Sequence, residues 1–349
     1  MKKVLTVRPQ SPRQAFASHT FELQELLQGG SSGATPKQAL STVGLCERLR
    51  QLWCDTLGED HLHTLSSAHH LAFALRAVGR YERARDVDQD TLTRSCRVLG
   101  HDHPYSMISA NNLAADLRAL GNDEQARALD EDTWARFRRI LGHDHPHSMI
   151  SANNLAADLR ALGDYEQARG LDEDTWARFR RVLGDNDAHT LASASNLAAD
   201  LRALGESRRA RDLDEQTLGH FRQMLGDDHP DTLVSANNFA GDLYVLGDYE
   251  QARELAKDTW TRFRRVLGDD HPDTLAAASN LAADLRALGQ WQSARDLDED
   301  TLIRLRRALG DDHPDTLAAA SYLAADLHAL GQHQEARQLQ QWIDSRSWP

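Results

Sequence analysis

Residues 100–121 read GHDHPYSMISANNLAADLRALG, and residues 122–142 continue as NDEQARALDEDTWARFRRILG. The Leu-Gly pair that closes this segment recurs every 42 residues, with its glycine at positions 58, 100, 142, 184, 226, 268 and 310. A fixed period of this length is the sequence signature of stacked repeats, each of which buries its apolar face against its neighbours. The period therefore decides the fold before any single motif does.

Each repeat has the composition of a pair of helices. Ala, Leu, Arg, Asp and Glu dominate the chain, aromatic residues make up only 6%, and glycine and proline recur mainly at fixed places in the period. Because a repeat array needs no division into globular domains, we expect one array over residues 36–349 of the 349. Residues 1–35 stand outside the period as an N-terminal extension with a Gly/Ser linker, which is either a degenerate cap of the array or a tethered peptide that docks into the groove. The predicted units are 59–100, 101–142, 143–184, 185–226, 227–268, 269–310 and 311–349.

Bulk properties narrow the class of partner. The formal net charge of −13 argues against a nucleic-acid partner, since phosphate binding needs a basic face. A protein partner, basic or neutral, fits better. Three cysteines are too few for a disulfide framework, and no stretch approaches the roughly 20 apolar residues that span a bilayer. We therefore expect a cytoplasmic protein with no membrane partner.

The repeat resembles the tetratricopeptide repeat in its 42-residue form, which occurs in kinesin light chains and bacterial repeat arrays. The resemblance rests on GDDHPDTL at 226–233, NNFA at 237–240, LGDYEQA at 246–252 and VLG at 266–268, and it covers about residues 37–349. It implies an all-α, right-handed superhelical solenoid of antiparallel helix pairs. It also implies that the first helix of each pair lines a concave groove that holds peptide segments.

An asparagine column occupies one position of the first helices, and a second column lies beside it. In the family the first position faces the groove, where an amide both donates to and accepts from a peptide backbone. We expect a peptide-binding surface here, although these amides could instead tie neighbouring helices together. The predicted residues are Asn112, Asn154, Asn196, Asn238 and Asn280, with Asn111, Asn153 and Asn237 beside them.

Aspartates depart from the family pattern in both helices of the repeat. Asp116, Asp158, Asp200, Asp242, Asp284 and Asp326 stand in the first helices, and Asp130, Asp172 and Asp214 in the second. At 100° per residue the first-helix aspartates and the arginines two residues later leave opposite flanks. We expect an inter-repeat ladder, such as Asp116 with Arg160, Asp158 with Arg202 and Asp284 with His328, or the reverse direction. The binding hypothesis also gives specificity to Arg118, Arg160, Arg202, Tyr244 and Arg286.

The remaining columns favour structural roles. A histidine, such as His145, stands at the turn before the first helix in six of the seven units, and turn and helix-start roles explain it. Asp144, just before it, lies where a carboxylate caps the helix or favours its dipole. Trp134, Trp176 and Trp260 share one position with leucines, and Phe137, Phe179, Phe221 and Phe263 follow three residues later. That pattern predicts a core stripe.

No pattern points to catalysis. The sequence shows no nucleophile elbow, no phosphate-binding glycine loop and no complete metal-ligand set, so we predict no catalytic residue, cofactor or metal. The leading hypothesis is a scaffold that holds a partner segment in the Asn-rich groove. A second is a sensor whose own N-terminal segment occupies the groove until a partner displaces it. A third, from the likeness of Glu25–Gly30 to the end of a leader peptide, is an enzyme or accessory protein that acts on a ribosomally made peptide.

Overall fold

The computed structural model describes residues 36–346, with side chains from residue 41 onward. Every regular element in that range is an α-helix. The all-α repeat fold predicted from the period is therefore confirmed. The Gly/Ser linker and the N-terminal segment proposed to occupy the groove fall outside the described residues. None of the helices in the described range combines the length and the apolar character that crossing a bilayer requires.

The chain divides into two compact units, with the boundary after Ile140. In its described part, from residue 36 onward, the first contains α1 Pro36–Leu57, α2 Leu62–Ala77, α3 Tyr81–Leu99, α4 Pro104–Ala119 and α5 Asp123–Leu141, which ends one residue past the boundary. The second contains α6 Pro146–Ala161, α7 Tyr165–Leu183, α8 Ala188–Ala203, α9 Ser207–Leu225, α10 Pro230–Leu246, α11 Tyr249–Leu267, α12 Pro272–Ala287, α13 Trp291–Leu309, α14 Pro314–Ala329 and α15 His333–Asp344. Within the second unit, each helix from α6 onward packs against the next.

Six of the seven first helices in the described range begin at a histidine cap, and α8 begins at Asp187 instead. His145 precedes α6 in extended conformation, and its Nδ1 accepts a hydrogen bond from the N–H of His147 at 3.2 Å. The helix-start role predicted for the histidine column is confirmed. The capping role predicted for Asp144 is wrong, because its carboxylate instead accepts hydrogen bonds from Arg178 at 2.9 Å and Arg181 at 2.6 Å.

The closing glycine of each repeat stands in a backbone conformation that other residues avoid. Gly226, directly after α9, has φ of 84° and donates its N–H to the carbonyl of Arg222 at 3.0 Å. This left-handed φ ends the helix and turns the chain toward the next cap. The 42-residue period of Leu-Gly is therefore the spacing of helix ends.

The predicted aromatic stripe forms the core between helices, with one difference. Phe137 and Phe179 are fully buried, and Phe263 is 1% exposed. Trp176 and Trp260, however, are only partly buried, and the guanidinium of Arg264 lies 4.7 Å from the ring centroid of Trp260. An indole at this column thus packs one face on the core and offers the other to an arginine.

Candidate functional site

The most regular polar feature is an ion cluster that joins three helices. Arg202, near the end of α8, donates to Oδ2 of Asp214 on α9 at 2.5 Å and to Oδ1 of Asp242 on α10 at 3.0 Å. Both carboxylates are fully buried, whereas the Arg202 side chain is 25% exposed and covers them. We call such a set a rung: an arginine of a first helix, an aspartate of the second helix, and an aspartate of the next first helix.

Three further rungs have the same form. They are Arg76 with Asp88 and Asp116, Arg160 with Asp172 and Asp200, and Arg286 with Asp298 and Asp326, at distances of 2.5 to 3.3 Å. In addition, Arg118 lies 4.0 Å from Asp130. The ladder predicted from the sequence is therefore confirmed in its reverse direction, because the arginine of each of these four rungs contacts the aspartate of the following repeat.

The direction named first is wrong for the pairs within the second unit. Asp158 does not pair with Arg202, because Arg202 points forward to Asp242. Asp284 likewise does not pair with His328. Sequence reasoning also missed that the second-helix aspartates belong to the same clusters. The sequence contains one indication that the arginine and the second-helix aspartate belong to one cluster. Both are replaced in the same repeat, by Tyr244 and Ala256.

The carboxylates of a rung are unusual acids. Burial raises the pKa of Asp214 to about 7; Arg202 acts in the opposite direction, and the Asp242 carboxylate adds to the rise. Oδ1 of Asp214 and Oδ2 of Asp242 have no donor among the described residues. A proton shared between the two carboxyls would satisfy both oxygens and leave one negative charge facing one arginine.

One rung is incomplete. Tyr244 replaces the arginine and Ala256, fully buried, replaces the second-helix aspartate, yet Asp284 remains on α12. The Asp284 carboxylate is 3% exposed and has no hydrogen-bond or ion-pair partner among the residues that the structure describes. Burial alone raises its pKa to about 7. We call Tyr244, Ala256 and Asp284 the open rung.

The asparagine columns lie on the first helices beside the rungs, and part of them links repeats. Ser193 donates to Oδ1 of Asn153 at 3.3 Å, and Nδ2 of Asn280 donates to Oδ1 of Asn237 at 3.1 Å. These two contacts match the alternative in which the amides tie helices together. Asn111 is nearly buried, at 8% exposed.

Other amides of the first column remain available. Asn112, Asn196 and Asn238 are partly exposed, and no side chain or backbone group in the described range bonds to their amides. Asn196 on α8 and Asn238 on α10 occupy the same position of consecutive repeats. We call the face that bears these two residues the amide surface. Amides with unused donors and acceptors at repeat spacing are what backbone recognition requires.

The predicted specificity residues have different environments. Arg160, Arg202 and Arg286 are held by buried carboxylates and keep only 15 to 25% of their side chains exposed. Tyr244 is 38% exposed, and its ring meets Tyr249 edge-on at 5.4 Å between centroids. Within residues 36–346 no three His, Cys, Asp or Glu side chains are grouped as ligands for a metal ion.

Comparison with known families identifies the repeat. The sequence profile of the tetratricopeptide repeat matches residues 105–178, 147–223, 190–261, 231–302 and 273–343, and a second profile of this repeat matches 64–105. The chain belongs to the tetratricopeptide repeat family. The kinesin-light-chain-like resemblance drawn from the sequence is thereby confirmed. No curated protein sequence matches this tetratricopeptide repeat chain.

Solved structures of other tetratricopeptide repeat proteins are similar to it. A variant of a Podosopora anserina protein assigned as a kinesin light chain is 26% identical over 58% of this chain and 95% of its own, with a TM-score of 0.50. The apo quorum sensor NprR from B. thuringiensis is 13% identical over 98% of this chain and 89% of its own, with a TM-score of 0.68. A Rap protein complexed with competence and sporulation factor is 11% identical over 93% and 94%, with a TM-score of 0.56.

Proposed function

We propose that this chain is a scaffold that binds an extended peptide or partner-protein segment along the amide surface. The observation that carries the proposal is the pair Asn196 and Asn238, whose side-chain amides are partly exposed and make no bond within the described residues. The core and the rungs hold the helices without them. Polar groups that the fold leaves unused are the ones that remain for a ligand.

The spacing of the amides suits a peptide backbone. Neighbouring packed helices lie about 8–10 Å apart, and an extended chain advances about 3.3 Å per residue. One amide per repeat thus meets an extended peptide about every third residue. An asparagine side chain can accept from the peptide N–H and donate to its carbonyl, so the contact is independent of the ligand side chains.

Charge favours a basic ligand. The chain carries a formal net charge of −13, which would accelerate the approach of a positively charged segment at low salt. Specificity would then come from residues beside the amides, of which Tyr244 is the most exposed member of the predicted set.

The similar structures support a binding role of this class. NprR is described as a quorum sensor, and the Rap protein was solved with competence and sporulation factor bound. A regulatory sensor is therefore the second form of the proposal. In it the N-terminal segment competes for the amide surface, and deletion of residues 1–33 raises peptide affinity.

The test uses the full chain and a peptide selected from a random display library. Fluorescence anisotropy then gives the affinity of that peptide for three proteins: the wild type, Asn196→Ala/Asn238→Ala, and the control Asn153→Ala/Asn237→Ala. Each asparagine loses at least one hydrogen bond worth about 0.5–1.5 kcal/mol, so binding in the first variant weakens by at least roughly 5- to 150-fold, with little change in melting temperature. The control loses two inter-repeat acceptors, so its melting temperature falls instead.

Two outcomes count against the proposal. One is unchanged affinity in Asn196→Ala/Asn238→Ala. The other is a library that yields no peptide above the background of a denatured chain.

A further inference from the structure

The open rung keeps the aspartate of the next first helix but lacks the arginine and the second-helix aspartate of a complete rung. At the complete rungs, the aspartates equivalent to Asp284 are fully buried beneath an arginine; these are Asp200, Asp242 and Asp326. At the open rung that arginine is missing, and Asp284 is 3% exposed. Asp284 is therefore almost entirely buried but keeps a small exposed surface, and no arginine of the chain covers it.

The second-helix position of the open rung has become apolar. Ala256 is fully buried in a cluster with Ala240 and Leu281, and Leu255 and Trp260 pack against this cluster. The second carboxylate has thus been removed together with the arginine, and an apolar floor lies beside the remaining one. Asp284 is the one charged group of the rung that the chain has retained.

Tyr244 does not replace the missing cation. Its ring packs edge-on against Tyr249 at the start of α11 and is 38% exposed. No described residue donates to Asp284, and burial alone sets its raised pKa of about 7, whereas Arg202 opposes the corresponding rise at Asp242. A buried carboxyl without a hydrogen-bond or ion-pair partner destabilises the folded chain. We therefore expect that a ligand supplies the partner of Asp284.

The complete rungs show which group fits. In the rung two repeats earlier, Arg160 donates through Nε to Oδ1 of Asp200 at 2.5 Å and through Nη2 to the carbonyl of Asn196 at 3.4 Å. The equivalent acceptors at the open rung are Asp284 and the carbonyl of Asn280. An incoming guanidinium therefore has a buried carboxylate and a backbone carbonyl available at the open rung.

We propose that the open rung is an anchor site for an arginine side chain of the bound peptide, with Asp284 as its carboxylate partner. The inference rests on the proposed peptide-binding function and gives it a ligand chemistry. The incoming guanidinium occupies the place that Arg160 and Arg202 fill in their own repeats, and its aliphatic stem lies over the apolar floor at Ala256. The ligand thus completes a rung that the chain leaves open.

The test uses small probes, so that it needs no known peptide. N-acetyl-arginine amide is titrated into the full chain by isothermal titration calorimetry, with N-acetyl-citrulline amide as the uncharged probe of the same shape. We expect the arginine probe to bind the wild type and the citrulline probe to bind at least about tenfold more weakly, since loss of one partner of a buried charge pair costs this much or more.

Two variants and one control decide the location. Asp284→Asn removes the charge, and Tyr244→Arg/Ala256→Asp rebuilds a complete rung that occupies the site with the chain's own guanidinium. Both should lose at least about tenfold in affinity for the arginine probe. Val245→Arg adds the same charge at a neighbouring side chain that is 58% exposed, and it should leave the affinity within about threefold, the effect of a rim charge.

The result that overturns the inference is equal binding of the arginine probe to the wild type and Asp284→Asn, or no binding to the wild type. Failure of the broader function is recognised separately. If selected peptides bind the wild type and the rebuilt rung equally well, the scaffold function stands and the anchor at Asp284 does not. If no peptide is selected but the arginine probe still depends on Asp284, the anchor site stands and the peptide scaffold does not.

Discussion

Replacement of Arg202 by methionine would remove the cation from a complete rung and keep an unbranched, flexible side chain that lacks only the guanidinium end. The guanidinium lies 2.5 Å from Oδ2 of Asp214 and 3.0 Å from Oδ1 of Asp242, and neither carboxylate has exposed surface. Without the arginine, both acids remain buried and face each other without a compensating charge. The folded state must then protonate them or hold unpaired charge.

The loss of stability depends on whether the buried carboxyls are protonated or remain charged. Breaking a buried ion pair by removal of one partner costs about 3–5 kcal/mol of unfolding free energy. The folded Arg202→Met chain lowers this cost by protonation of Asp242, since burial raises the pKa of this carboxyl in the wild type and Arg202, which opposes the rise, is gone. Carboxyls of the unfolded chain keep a pKa near 4. The loss of unfolding free energy in the variant, relative to the wild type, therefore becomes smaller as pH falls. The change is up to about 1.4 kcal/mol per pH unit for each additional proton that the folded variant binds.

Urea denaturation at pH 8 and pH 5, followed by circular dichroism, measures this deficit, and hydrogen exchange of α8 to α10 localises it. The matched variant Arg202→Tyr/Asp214→Ala copies the open rung and leaves one buried acid instead of two, so it should recover about half of the lost stability. A loss of unfolding free energy below about 1 kcal/mol at pH 8, which is typical of exposed pairs, would contradict a buried ion cluster at Arg202. A loss that is larger at pH 5 than at pH 8 would also contradict it.

Three further predictions concern single positions. Burial raises the pKa of Asp284 to about 7, so the folded chain loses stability as pH rises from about 4 to 7, and Asp284→Asn should raise the melting temperature at pH 8 but not at pH 4. Phe263→Ala should cost about 3–5 kcal/mol in urea denaturation, whereas Phe73→Ala, at a side chain 49% exposed, should cost under about 1 kcal/mol; equal losses would contradict the assigned core. His271→Ala removes an Nδ1 acceptor 3.2 Å from the N–H of Asp273 and should cost about 1 kcal/mol, visible as faster hydrogen exchange at the start of α12.

The fold could be predicted from the sequence because the residues that start and end its helices recur at a fixed period. Leu-Gly fixes the end of each second helix, and His-Pro fixes the start of most first helices, so α1 Pro36–Leu57 and the pairs after it begin and end near the predicted residues. The cap itself could not be chosen between Asp144 and His145 on composition, since both residue types supply an acceptor. Only the backbone geometry placed the imidazole nitrogen at the free N–H.

The candidate site was predictable in its residue types but not in its connections. Helical angles showed that the aspartates and arginines leave opposite flanks, yet they do not tell which neighbouring repeat each arginine reaches. That choice depends on how the helices stack, and it is set by Arg202 reaching Asp242 on the next helix. The unpartnered state of Asp284 is likewise a property of three helices together. In the sequence it is marked only by the joint change at Tyr244 and Ala256.

A crystal structure of the chain with a display-selected peptide would show the mode of binding itself. We expect an extended peptide on the first helices, with backbone hydrogen bonds to the side-chain amides of Asn196 and Asn238 and an arginine guanidinium against Asp284. A peptide bound on the second helices, with the amides of Asn196 and Asn238 still unbonded, would contradict it.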